Sequence, residues 1–128
     1  MNTEPIVVRP EEGIPGPATP GMERRQLYLE AGRWAGWIRT DAGVAGGWHH
    51  HGGNDSFIYI LRGTLSIDYG PRGGATVVAT AGDFVYNPAL LVHRETTTPE
   101  GDVEAFVVRV GEGPQLVNVD GPDPADPA

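Results

Sequence analysis

The sequence predicts an all-β fold of antiparallel strands, and three observations carry that expectation. Glycine and proline, 19 and 12 of the 128 residues, punctuate the chain too densely for a helical stripe of useful length. Turn signals recur about every 8–12 residues, the spacing of an antiparallel sandwich or barrel. Between them, runs such as Thr64-Leu-Ser-Ile-Asp-Tyr69 alternate polar with apolar side chains, as a strand with one buried face does.

Taken in order, residues 6–9 are extended, and in residues 10–21 Pro15, Pro17 and Pro20 are expected to forbid regular pairing. Residues 1–23 therefore read as an extended N-terminal arm. Residues 24–30 and 32–40 are strand-like, the second carrying Trp34, Trp37 and Ile38, and 41–43 form a turn before a histidine strand that runs to His51. Residues 52–55, Gly-Gly-Asn-Asp, read as a turn, since these residues tolerate left-handed geometry. Strands at 56–61 and 64–69 make a hairpin through Arg62-Gly63. Strands at 75–79 and 84–87 follow, separated by turns at 70–74 and 81–83. Pro88 to Val92 leads into a strand at 93–96, 103–110 is the last long strand, and 116–119 is a short one. Residues 24–120 thus make one domain. Residues 121–128, built of Gly, Pro, Asp and Ala, have nothing to bury and should form a mobile tail.

A chain of this length buries a core without staples, and it has no cysteine, so neither disulfides nor thiolate metal sites are available. The net charge is -8, every basic residue is Arg, and no basic cluster exists. Phosphate backbones and anionic lipids would be repelled, which excludes nucleic acid and membrane surfaces as expected partners. The lack of lysine removes Schiff-base chemistry. No run is long or apolar enough for a transmembrane helix, and Met1-Asn-Thr-Glu-Pro5 lacks the basic start of a secretion signal, so a cytoplasmic location is expected.

Three of the four histidines stand together at 49–51, and the fourth is His93. On a strand, His49 and His51 share a face while His50 is turned away. If a later strand brings His93 against them, three neutral nitrogen donors converge. Such a set suits zinc, iron, nickel or copper better than magnesium or calcium.

These histidines sit in two glycine-framed motifs. In the first, Gly43 is followed after five residues by His49-His50-His51, with Gly63 at the far end; in the second, Gly82 is followed after five residues by Pro88-Ala-Leu90, then after two more by His93. Both the order and the spacing resemble the cupin family of small metal-binding barrels. The resemblance implies a double-sheet jelly-roll barrel with a metal in its mouth, held by His49, His51 and His93, and a homodimer.

Three positions depart from the family pattern. Ser56 stands where the family places a glutamate ligand, with Asp55 just before it. The ligands expected to touch the metal are therefore three histidines with no carboxylate, Asp55 being a weak fourth ligand that could act directly or through water. Leu90 replaces a glycine, so its turn must avoid positive φ or carry strain. Thr97 replaces an asparagine.

A three-histidine site leaves a divalent charge uncompensated and open coordination positions, which favours a small anionic, chelating ligand such as an enolate, diketonate or carboxylate. Within the cupins such sites resemble those of iron(II) thiol and diketone dioxygenases, while others bind zinc, nickel or manganese. Ser56, Ile58 and Ile60 share one strand face and are expected to line the pocket, with Phe57 and Tyr59 outside. Arg39 is a further candidate to meet an acidic substrate, whereas Arg94 alternates out of the site. No general base is evident beyond the histidines and Asp55. The expectation is a mononuclear non-haem iron oxygenase. The alternatives are a metal-dependent isomerase, lyase or cyclase, or a non-catalytic binding or sensing cupin.

Overall fold

The computed structural model describes residues 3–17 and 19–122. Among them the strands are β1 (Ile14–Pro15), β2 (Met22–Glu30), β3 (Arg33–Thr40), β4 (His49–His50), β5 (Gly53–Arg62), β6 (Thr64–Tyr69), β7 (Ala75–Thr80), β8 (Phe84–Asn87), β9 (His93–Thr97), β10 (Val103–Glu112) and β11 (Val117–Asn118). They form two antiparallel sheets, one in the order β1-β2-β3-β10-β5-β8 and one in the order β11-β4-β9-β6-β7. This is the double-sheet jelly roll. The expected barrel closure is absent, since no ladder among the described residues joins the two sheets into one cylinder. No helix of the described residues is long and apolar enough to cross a membrane.

Alternation decides what faces inward. In β5 the buried residues are Asn54, Ser56, Ile58 and Ile60, while Phe57 and Tyr59 turn outward. The core joins Trp34, Ile58, Ile60, Val103, Ala105 and Val107 of the first sheet to Leu65, Ile67 and Ala79 of the second. Ile60 and Ile67 are almost wholly buried. Burial of a side chain of this size contributes about 1.5–3 kcal/mol.

The inner faces change character along the strands. Inward residues of β10 run Val103, Ala105, Val107 and then Arg109. In β5 they run Ile60, Ile58 and then Ser56, and in the facing sheet Thr97, Glu95 and His93 lie opposite Leu65, Ile67 and Tyr69 of β6. The sandwich is therefore apolar at one end and polar at the other. Gly63, which joins β5 to β6, has φ 88°, and its α-carbon lies against the Asp102 backbone, so a side chain fits neither conformation nor space.

Three local expectations are corrected. Pro15 does pair: β1 lies on β2 with Ile14 opposite Gln26, because β1 is a sheet edge, where a missing N–H is tolerated. Residues 53–55, expected in a turn, extend β5 along β10. Their polarity reflects the Asn54 amide, which donates inward to the carbonyl of His51 (2.9 Å). The histidine strand is short; residues 41–48 are mostly a loop held on β9 by Gly46 N–H to Glu95 O and Thr97 N–H to Val44 O. The expected mobile tail lies, apart from Gly121 and Pro122, outside the described residues.

Candidate metal centre

The polar end is organised by one cross-strand pair, His49 of β4 opposite His93 of β9. Their ring centroids are 4.4 Å apart, and the His51 ring stands 5.0 Å from His49 and 5.2 Å from His93. His49, His51, His93 and Glu95 each offer a ligand atom, all within 4.8 Å of one another. His93 is fully buried and His51 nearly so.

Each imidazole is pinned through Nδ1. His49 Nδ1 lies 2.9 Å from Gly47 O, His51 Nδ1 2.7 Å from Gln115 O, and His93 Nδ1 3.0 Å from Leu91 O. A carbonyl only accepts, so each Nδ1 carries the proton and donates, and the neutral ring keeps its lone pair on Nε2. Three Nε2 atoms presented in this way are the usual preparation for a transition metal. The donor set of three nitrogens and a carboxylate oxygen, already convergent and oriented from behind, fits such an ion.

The electrostatics agree. Burial pushes the His49 pKa down, with Glu95 partly opposing. Burial and then the nearby Arg109 charge push His51 down to about 3. For His93, burial works in the same direction but is outweighed by Glu95, whose Oε1 is 3.3 Å from Nε2, and its pKa is raised. Burial would raise Glu95, yet its bond to His93 and then the charge of that ring hold it well below the usual carboxylate range. The cluster is thus an ionised carboxylate beside two neutral histidines and one that is readily protonated.

Glu95 corrects the expectation of a site without a carboxylate. The signal was present in the sequence: His93 and Glu95 are two apart on a strand, the same rule that pairs His49 with His51. Asp55 stands outside this group. Its Oδ1 accepts from the Tyr86 hydroxyl (2.9 Å) and the Ala89 N–H (3.0 Å), on the outer side of β5. His50 turns away as expected, its Nδ1 accepting from the Gly52 N–H.

Arg39 is also displaced from its expected role, because its guanidinium is held by Asp41, Asp102 and Glu23. Ile58 and Ile60 belong to the packed core. Ser56 is buried on the inner face. Arg94 points out, bonding Asp68 at 2.8 Å and stacking 4.7 Å from the Trp48 ring centroid.

The inward cation is Arg109, which sequence reasoning missed. It follows Val103, Ala105 and Val107 at alternate positions, so a charge closing an apolar row was its signal. Its guanidinium lies 4.6 Å from the Trp34 ring centroid, and burial lowers its pKa to about 10. A separate cavity of about 270 Å³ opens beside Gly32, Asn54 and Gly113 and touches the centre through Gln115, whose carbonyl holds His51.

The two departures in the second motif are now explained. Leu90 does adopt positive φ, 64°, and carries the strain. Thr97 Oγ1 donates to Asp41 O (2.6 Å) and accepts from Val44 N–H (2.9 Å), tying the histidine-bearing loop to β9.

A family model described as a ChrR cupin-like domain matches residues 4–111, most of the chain. The chain is a cupin of this family. Its fold is similar to that of the polyketide cyclase RemF from Streptomyces resistomycificus, with TM-score 0.72 and 19% identity, covering 91% of this cupin and 87% of that chain. KdgF from Halomonas sp. gives TM-score 0.67 and 19% identity, covering 80% and 92%. A predicted oxalate decarboxylase from Thermotoga maritima gives TM-score 0.70 and 22% identity, covering 84% and 100%. At these identities the likeness is one of fold. No curated protein matches this cupin by sequence.

Proposed function

We propose that this cupin is a mononuclear metalloenzyme, a non-haem iron dioxygenase acting on a small anionic or enolisable metabolite. The observation that carries the reading is the convergence of three Nδ1-pinned histidines and Glu95 within 4.8 Å at the polar end of the sandwich. An ion held there would polarise a chelated substrate oxygen and, as iron(II), would mediate transfer of electrons from the substrate to dioxygen.

The chain's own residues hold and orient. Four protein donors leave about two positions of an octahedral ion for exogenous ligands. Arg109 adds a buried positive charge beside them, which favours an anionic substrate, while Trp34 covers the guanidinium and excludes water from it. Beyond Glu95 no additional carboxylate joins the histidine cluster among the described residues. The base strength of Glu95 is low, which favours a reaction driven by the ion and a bound oxidant. Oxygen uptake by iron-loaded protein against a panel of diketones and thiols tests this, and no uptake with any of them would sink it.

A second reading, an isomerase, lyase or cyclase using the ion as a Lewis acid, draws on Glu95 as a nearby carboxylate and on the likeness to the RemF cyclase. Anaerobic turnover with zinc or nickel selects it.

We infer further that two copies associate. The outer face of β5, β8 and β10 exposes Tyr59, Phe84, Tyr86 and Phe106, with Phe57 stacked on Phe84 at 6.3 Å, an aromatic patch suited to a second copy of itself.

A further inference from the structure

Three buried polar atoms have no hydrogen-bond partner among the described residues: Ser56 Oγ, Asn87 Nδ2 and Arg109 Nε. Buried polar groups in folded proteins are nearly always paired, so an isolated exception is a curiosity and a group of three calls for a cause. These three are neighbours. The ladders set Arg109 of β10 opposite Ser56 of β5, and Ser56 opposite Asn87 of β8. The next inward residues along these strands, Val107, Ile58 and Val85, belong to or pack on the core, so the whole row faces into the sandwich. Ser56 is 1% exposed and Asn87 4%.

The row lies beside the metal centre. The Arg109 charge bears on His49, His51 and His93, and the Glu95 carboxylate bears on Arg109 in return. The other flank of Arg109 is closed by the Trp34 indole.

The free valences define a ligand. An Arg Nε–H and an Asn NH₂ donate only, a serine hydroxyl donates or accepts, and the guanidinium is a full positive charge. A planar carboxylate, with two oxygens and about four lone pairs, satisfies all three at once. A neutral amide can fill the hydrogen bonds but leaves the guanidinium charge unmet, and an amine would add a second positive charge.

The position of Ser56 gives this set its meaning. It occupies the motif position of a glutamate, and the chain's own carboxylate comes instead from Glu95 on the facing sheet. We propose that Ser56, Asn87 and Arg109 form a receptor for a substrate carboxylate, which takes the space and charge that a glutamate side chain at position 56 would supply. The enzyme would then act on small carboxylic acids, with the carboxylate on this row and the reacting oxygen turned toward the histidines. This deepens the metalloenzyme reading and rests on it for the chemistry, though not for the binding.

The test is calorimetric titration of metal-free and zinc-loaded protein with pyruvate and with benzoate, each against its own amide. Wild-type protein should bind at least one acid at least about tenfold more tightly than the amide, as expected of a charge-assisted contact in a buried site. Ser56→Glu should place the chain's own carboxylate on the row. It should melt no lower than wild type, keep its metal by elemental analysis, and lose acid binding by about tenfold or more. Arg109→Gln should lose acid binding to a similar extent with metal content unchanged, and it decides the matter should Ser56→Glu fail to fold.

Equal affinity for acid and amide, no binding of either acid, or wild-type affinity for the acids in Arg109→Gln would overturn the proposal. Failure of the metalloenzyme reading shows separately, as wild-type protein that takes up no metal yet still prefers acid to amide.

Discussion

At the scale of single residues, the centre is governed by which atom holds each proton. His93 must lose its proton to bind a metal, and its pKa is raised above the ordinary 6.5, whereas His49 and His51 are already neutral near pH 7. In the metal-free protein the charged His93–Glu95 pair contributes stability that is fully present below pH 6.5 and is lost as pH rises through the raised value. Metal uptake runs the opposite way. Affinity should fall as pH drops through the His93 pKa, and uptake just below that value should release about one proton per ion. Calorimetry in two buffers of different ionisation enthalpy measures that release. Glu95→Gln keeps the shape and removes the charge, so it should weaken metal binding about tenfold or more, as read by competition with a chelator. Leu90 is a different kind of case. Its side chain is 66% exposed and its φ is 64°, so Leu90→Gly gives up little packing and relieves left-handed strain. The expected gain is about 0.5–1 kcal/mol in urea unfolding, and a loss of stability would show that the strain is not there.

At the scale of elements, the strands were legible because their periodicity is enforced by burial on one face. β6 and β8 fall where alternation puts them. The errors came where composition was read without its partner strand. Residues 53–55 look like a turn until β10 is laid beside them, and Pro15 looks like a breaker until β1 proves to be an edge. Glu95 and Arg109 were missed for the same reason, since their inward direction follows from alternation but their meeting depends on two sheets facing each other. One element carries a packing device that the sequence shows only as a glycine. A β-carbon on Gly36 would overlap the Trp34 indole, which lies across it and stacks on Arg109. Gly36→Ala should therefore lift the indole, break its 3.1 Å bond to Gln26 and cost about 1–3 kcal/mol. Near-ultraviolet dichroism and the urea midpoint should both change, and unchanged spectra would place the indole elsewhere.

At the scale of the whole molecule, the two motifs read from the sequence converge because β4 and β9 are neighbours in one sheet, although 43 residues lie between the cross-strand partners His49 and His93 in the chain. The first sheet's contribution was out of reach of spacing alone, since no local rule places Arg109 of β10 across from a histidine cluster on the other sheet. The outer aromatic face makes a prediction that belongs to the assembly. Phe84, 63% exposed, should be central to self-association, and Phe84→Glu should convert a dimer seen by light scattering into a monomer with its metal content intact. A monomeric wild type would refute the inferred pairing.

The carbonyl that fixes His51 belongs to Gln115, 64 residues later in the chain. A nascent polypeptide therefore lacks the means to orient that imidazole until nearly all of the domain has been synthesised, even after His49 and His93 can meet. High-affinity loading is therefore expected only once Gln115 has been added and has docked on His51. Newly made protein in a metal-poor cell should thus accumulate folded and empty, ready to be charged.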